Sequence, residues 1–258
     1  MKYGYLAVEG PHDLAFVGKI LKFYDFTLVK QIADIEGTPF EDLIPTSFPH
    51  EGDLLKRMPV PAFFRKADEM IIAISCANSD TRLVEDIQEA LAVLVAQDLD
   101  GVGIIADLDS EKTPVNRFNA FADGIEKLKL VRPAEAGKAS SGSPNTGVYI
   151  LPDNSSEGTL EDLLIPCAEK VYPTLMQSAC SLIDSLDIAC DEFKRRDKKE
   201  ILKPAGKKKA KINIVGSVLK PGKSIQVSIQ DNRWISEETR TLPQIIAFEN
   251  FIKELFSL

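Results

Sequence analysis

Apolar residues follow two rhythms along this chain. Short, nearly unbroken apolar runs alternate with longer segments where apolar residues recur every three or four positions. The runs KYGYLAV (2–8), MIIAIS (70–75), GVGIIA (101–106) and GVYIL (147–151) read as strands. In 101–106, bulky Val102, Ile104 and Ile105 alternate with small Gly103 and Ala106, as in a strand buried on both faces of a parallel sheet. After Gly10-Pro11, the residues Leu14, Phe16, Val17, Ile20, Leu21 and Tyr24 form a helical stripe. Further helices are expected from Ser79 or Asp80 to 97, at about 115–128, from Thr159, and at 172–190, 191–202, 207–219 and 243–258. Segment 27–35 suggests a strand, 62–66 with 69–75 a hairpin, and 37–61 an irregular insertion. The small-residue stretch 134–146 is expected to be a mobile loop. Strands alternating with helices predict an α/β fold with a mostly parallel central sheet and helices on both faces. One domain is expected over 1–258, with a helical extension from about 159.

The polar residues that matter stand where the apolar runs stop. Glu9 follows the first run, Asp107 and Asp109 follow the third, and Asp153 and Glu161 follow the fourth. In open α/β sheets the binding crevice lies beyond the carboxyl ends of the strands. Asp107 and Asp109 are two residues apart, so in extended backbone both side chains point the same way. Asp13 falls in the first helical turn after Glu9, where it serves either a shared site or the helix start. Any one of these acids alone reads as a cap or a turn residue. Acids at three strand ends instead predict a divalent metal site built from oxygen donors. Thr159 with Asp162 forms a capping-box pair, which leaves Glu161 as the freer carboxylate.

Composition narrows the partners. The chain has 258 residues and a formal charge of -8, which argues against general nucleic-acid binding. Yet ten Lys or Arg residues crowd between Lys194 and Lys211, a basic stripe suited to meeting phosphates at one place. With four cysteines in no CxxC spacing and only His12 and His50, a zinc site is not expected. No apolar run reaches the length of a membrane span and no leader is expected, so the reading is a cytoplasmic protein with reduced thiols. The glycines at 10, 18, 101 and 103 complete neither a Walker loop nor a dinucleotide fingerprint.

LAVEGPHD followed much later by GIIADLDSE resembles the Toprim signature: a glutamate after the first strand, then a DxD pair after a later one. The likeness is nearest to the Toprim domains of OLD (overcoming lysogenization defect) nucleases and their short standalone relatives. There a Leu-Glu-Asp turn and a late lysine join the acids; Leu160-Glu161-Asp162 and Lys209-Ala210-Lys211 stand in those places here. The resemblance implies Glu9, Asp13, Asp107, Asp109 and Glu161 as ligands for Mg²⁺ or Mn²⁺. It implies Glu9 also as a general base, and Lys209 or Lys211 as the cation offsetting charge on a phosphate. Arg195, Arg196, Lys207, Lys208 and Lys211 would hold nucleic acid, DNA ahead of RNA. The implied activity is a metal-dependent phosphodiesterase, a nuclease-like hydrolase. The alternative is a non-catalytic metal- or phosphate-binding module that recruits a protein partner, motivated by the acidic total charge and by the lack of the Walker motif expected of the ATPase domain of full OLD nucleases.

Overall fold

A computed structural model describes residues 1–47, 60–108 and 113–258; Asp109 and the 48–59 part of the insertion lie outside them. The strands are β1 (Lys2–Val8), β2 (Thr27–Leu28), β3 (Ala62–Lys66), β4 (Met70–Cys76), β5 (Gly101–Asp107), β6 (Ala139–Ser140) and β7 (Asn145–Leu151). They form a single sheet in the order β2-β3-β4-β1-β5-β7-β6. The apolar runs make its parallel centre, β4-β1-β5-β7. β3, β2 and β6 add antiparallel edges. The fold is therefore α/β with a mixed, mostly parallel sheet.

Helices are α1 (Pro11–Leu21), α2 (Leu83–Leu91), α3 (Pro114–Lys127), α4 (Leu160–Val171), α5 (Pro173–Ser185), α6 (Arg195–Ile201), α7 (Gly206–Leu219), α8 (Ile225–Asp231) and α9 (Pro243–Phe256). The two-residue alternation of each strand feeds two cores. Leu6, Val8, Ile72, Ile74, Ile105 and Tyr149 meet α1, α4, α8 and α9 on one face. Tyr5, Ala7, Ile71, Ala73, Ile104 and Val148 meet α2 and α3 on the other.

The helices after residue 159 are not an appendage. α9 lies directly on β5 and β7, and two paired glycines, Gly103 and Gly147, make room for it. A Cβ at Gly103 would stand 2.6 Å from Leu255 Cδ2, and one at Gly147 2.6 Å from Phe251 Cε2. Close approach of backbone to helix therefore accounts for small residues inside an otherwise bulky strand. Trp234, fully buried, donates from Nε1 to Ser228 Oγ at 2.9 Å and lies edge-on to Tyr172.

Three expectations need correcting. The strand predicted at 27–35 is only Thr27–Leu28, because the chain curls into a 3₁₀ turn at Ile32–Asp34. The helix predicted from Ser79 or Asp80 to residue 97 is α2 alone, flanked by 3₁₀ turns, with Leu94 buried and Val95 exposed. The loop expected to be mobile at 134–146 contains β6, whose Ala139 and Ser140 pair with Gly147 and Thr146. Within the insertion, Pro39–Leu43 forms a 3₁₀ turn that buries Phe40 between Tyr3 and Phe63.

Candidate functional site

β1, β5 and the turn after β7 end at one edge of the sheet, and their acids converge there. Val8 is level with Ile105, and Asp107 with Leu151. A cleft of about 200 Å³ is lined by Glu9, His12, Asp13, Asp107, Glu161 and Lys209, with Gly10, Pro11 and Leu160. The sequence-predicted residues Glu9, Asp13, Asp107, Glu161 and Lys209 thus meet in one place. Asp109 lies outside the described residues.

Each carboxylate is set by local geometry. Pro11 starts α1, and Asp13 Oδ2 accepts from Gly10 N at 2.9 Å, so Asp13 caps the helix while its carboxyl faces Glu9. Glu9 Oε1 accepts from Asp107 N at 2.9 Å, which ties the end of β1 to the end of β5. Asp107 Oδ1 accepts from Leu160 N at 2.9 Å, a helix N-terminal amide aimed at an anion. Glu161 Oε2 accepts from Thr159 Oγ1 at 2.6 Å. Asp162 takes its predicted capping role, accepting from Thr159 N, and also pairs with Lys208 at 2.6 Å. That pair docks α7 on α4 and brings the next residue, Lys209, over the cleft.

Burial dominates the electrostatics. Asp13 is 7% exposed, and burial, then Glu9 and Glu161, push its carboxyl up to about 7. Burial together with Asp13, Glu9 and Glu161 pushes Asp107 well above the usual carboxylate range, against the opposing Leu160 N–H. Burial lowers the pKa of His12, with Glu161 opposing and Lys209 adding to the shift. These acids lie close enough to raise one another's proton affinity, a condition that a hard divalent cation relieves. The four carboxylates offer oxygen donors, the kind such a cation prefers. Among the described residues, however, no three His, Cys, Asp or Glu side chains already surround one point as a finished metal cage.

The other acids and bases sort apart. Asp153, the acid after β7, accepts from Ser155 and Ser156 N–H at 3.0 and 2.7 Å and only organises its own turn. Lys211 pairs with Asp184 on α5 at 3.1 Å. Lys207 and the α6 residues Arg195 and Arg196 are exposed. A groove of about 390 Å³ continues from Glu9 and Asp107 past Gly158 and Thr159 to Lys203, Lys208 and Lys209.

Two residues of the cluster were missed from sequence. His12 belongs to the cleft wall. Arg117 is 3% exposed beneath it and donates to Glu9 Oε1 at 2.9 Å and to Asp80 Oδ2 at 2.7 Å. Its signal was its phase: Arg117 shares the buried stripe of Phe118, Phe121, Ala122 and Ile125 on α3.

A family model described as "Protein of unknown function (DUF3226)" matches residues 3–257. The chain belongs to the DUF3226 family. Among solved structures, this DUF3226 protein is similar to the crystal structure of hypothetical protein PH0156 from Pyrococcus horikoshii OT3. That match has a TM-score of 0.56 and 18% identity, covering 99% of this chain and 95% of that one. At that identity the likeness shows a shared fold. None of the curated proteins compared with the chain matches it. Among the described residues, no helix of this DUF3226 protein is long and apolar enough to cross a membrane.

Proposed function

We propose that the chain is a Toprim-like, Mg²⁺- or Mn²⁺-dependent phosphodiesterase acting on nucleic acid. The observation that carries this reading is the meeting of Glu9, Asp13, Asp107, Glu161 and Lys209 around one cleft from distant parts of the chain. Asp13, Asp107 and Glu161 would hold the ion, with Glu9 beside them. Asp109 is assigned to the same set by sequence. The bound ion would neutralise the crowded carboxylates and polarise a phosphate oxygen. The chain's own groups do the rest. Lys209 faces the acids and offsets charge that builds on the phosphate in the transition state. Lys203, along the adjoining groove, holds a neighbouring phosphate of the strand, while Lys208, predicted for the same task, is engaged by Asp162 and docks α7 on α4. Glu9 accepts the proton of the attacking water. Of the basic residues predicted for nucleic acid, Arg195, Arg196 and Lys207 remain candidates on the exposed surface, while Lys211 serves α7 and α5 instead.

One observation favours a second reading, a non-catalytic module that binds metal or phosphate and recruits a protein partner. Glu9 Oε1 is already engaged by Asp107 N and Arg117, an arrangement suited to holding a shape. Incubating pure protein with DNA and with RNA in Mn²⁺ separates the two. The enzyme reading expects cleavage by wild type that Asp107→Ala loses. Equal cleavage by both, or none by wild type, removes it. A melting temperature raised by Mn²⁺ without turnover supports the module.

A further inference from the structure

Arginine is rarely buried without partners, and every partner of Arg117 belongs to the acid end of the sheet or supports it. Nη2 donates to Glu9 Oε1 at 2.9 Å, Nη1 to Asp80 Oδ2 at 2.7 Å, and Nε to the Asp107 carbonyl at 3.2 Å. The guanidinium lies 4.6 Å over the ring of Phe121. Glu9 Oε1 in turn accepts from Asp107 N at 2.9 Å. The Asp107 residue is therefore gripped twice: its N–H by Glu9, and its carbonyl by Arg117. Because Arg117 also holds Glu9, the three groups close a ring. A glutamate has three rotatable side-chain bonds, and two donors converging on one oxygen remove that freedom. Only a planar fork reaches three acceptors in this way; a lysine presents a single point charge.

We propose that Arg117 is a positioning residue. Its guanidinium fixes the angle at which the Glu9 carboxylate meets the end of β5, and Asp80 steadies the guanidinium from the far side. Arg117 never faces the cleft and acts only through Glu9 and the Asp107 peptide. This role rests on the reading of Glu9 as a working carboxylate of the cleft, so its test has one arm that needs neither metal nor substrate.

Amide hydrogen exchange on the full chain, free of metal, compares wild type with Arg117→Lys and Asp80→Asn. Exchange at the Asp107 amide rises about tenfold in Arg117→Lys and by a smaller factor in Asp80→Asn, while Ile104 in the middle of β5 is unchanged. Should Arg117→Lys fail to fold, Asp80→Asn carries the same comparison. A Mn²⁺ titration followed by electron paramagnetic resonance then shows affinity weakened by about ten- to a hundredfold in Arg117→Lys. Arg132→Lys, whose arginine lies past the carboxyl end of α3 and pairs with Asp123 on that helix, alters neither quantity. Unchanged Asp107 exchange in the folded variants overturns the role of Arg117, as does unchanged Mn²⁺ affinity. Wild type that binds no Mn²⁺ but shows the exchange difference sinks the metal reading and supports the positioning role.

Discussion

Among the described residues, carboxylates are buried in two places, and the two treat them in opposite ways. Glu249 on α9 is 5% exposed, yet Arg240 grips both its oxygens at 2.6 and 2.9 Å, and Tyr24 donates to it at 2.6 Å. Against burial, those donors hold its carboxyl below the usual range. Asp13 is 7% exposed and has acids for neighbours, so its carboxyl rises to about 7. The first is a compensated acid that joins α9 to the chain after α1. The second belongs to a cluster whose negative charge is answered within the described residues by Arg117 on Glu9 and by Lys209 at the rim. Such a cluster marks a candidate site for a ligand of opposite charge.

The sharpest way to break this contrast is at Asp107. Asp107→Ala is expected to lower Mn²⁺-dependent cleavage by roughly a thousandfold, since it removes a proposed ligand; a rate within a factor of a few of wild type contradicts the contrast. Arg240→Ala should do the reverse. It strands Glu249 without its cation and costs about 3–5 kcal/mol of stability in urea titrations, while Mn²⁺ binding stays as in wild type.

Asp13 sharpens the comparison through pH. Its folded pKa lies above the unfolded value near 3.8, so the folded state holds the proton more tightly. The resulting stability is full below about pH 4 and is lost as pH rises through about 7. Metal-free Asp13→Asn should therefore melt higher than wild type at pH 8 and show little difference at pH 4. Asn keeps an oxygen for the Gly10 amide, so the cap survives.

The lysines give the smallest effects. Lys209→Met is expected to cut cleavage roughly a hundredfold. Lys211→Met removes a partly exposed pair with Asp184 and should cost about 1 kcal/mol, with cleavage unchanged.

The sequence carried the central sheet well, because buried parallel strands are continuous apolar runs and cannot be mistaken for amphipathic helices of their length. It also made Glu9 and Asp107 legible as candidates at strand ends, and Asp13 and Glu161 in the first turns of the helices that follow, since the end of an apolar run shows in the sequence. It could not choose between Lys209 and Lys211. α7 buries only Ile212, Val215 and Gly216, so its apolar pattern does not reveal its phase, and the docking of Lys208 on Asp162 sets it. Arg117 escaped because a scan for apolar stripes passes over a charged residue within one. Gly103 and Gly147 were legible as small but not as the bed of α9, a contact more than a hundred residues away in the chain.

The claim on which the rest depends is that the acid cleft takes up a hard cation. Anomalous diffraction from a crystal soaked in Mn²⁺ at pH 8 tests it most directly. A peak is expected in the cleft within bonding distance of an Asp107 oxygen and of at least one of Asp13 and Glu161. An empty cleft, with Asp13 and Asp107 sharing a proton between them, would contradict it.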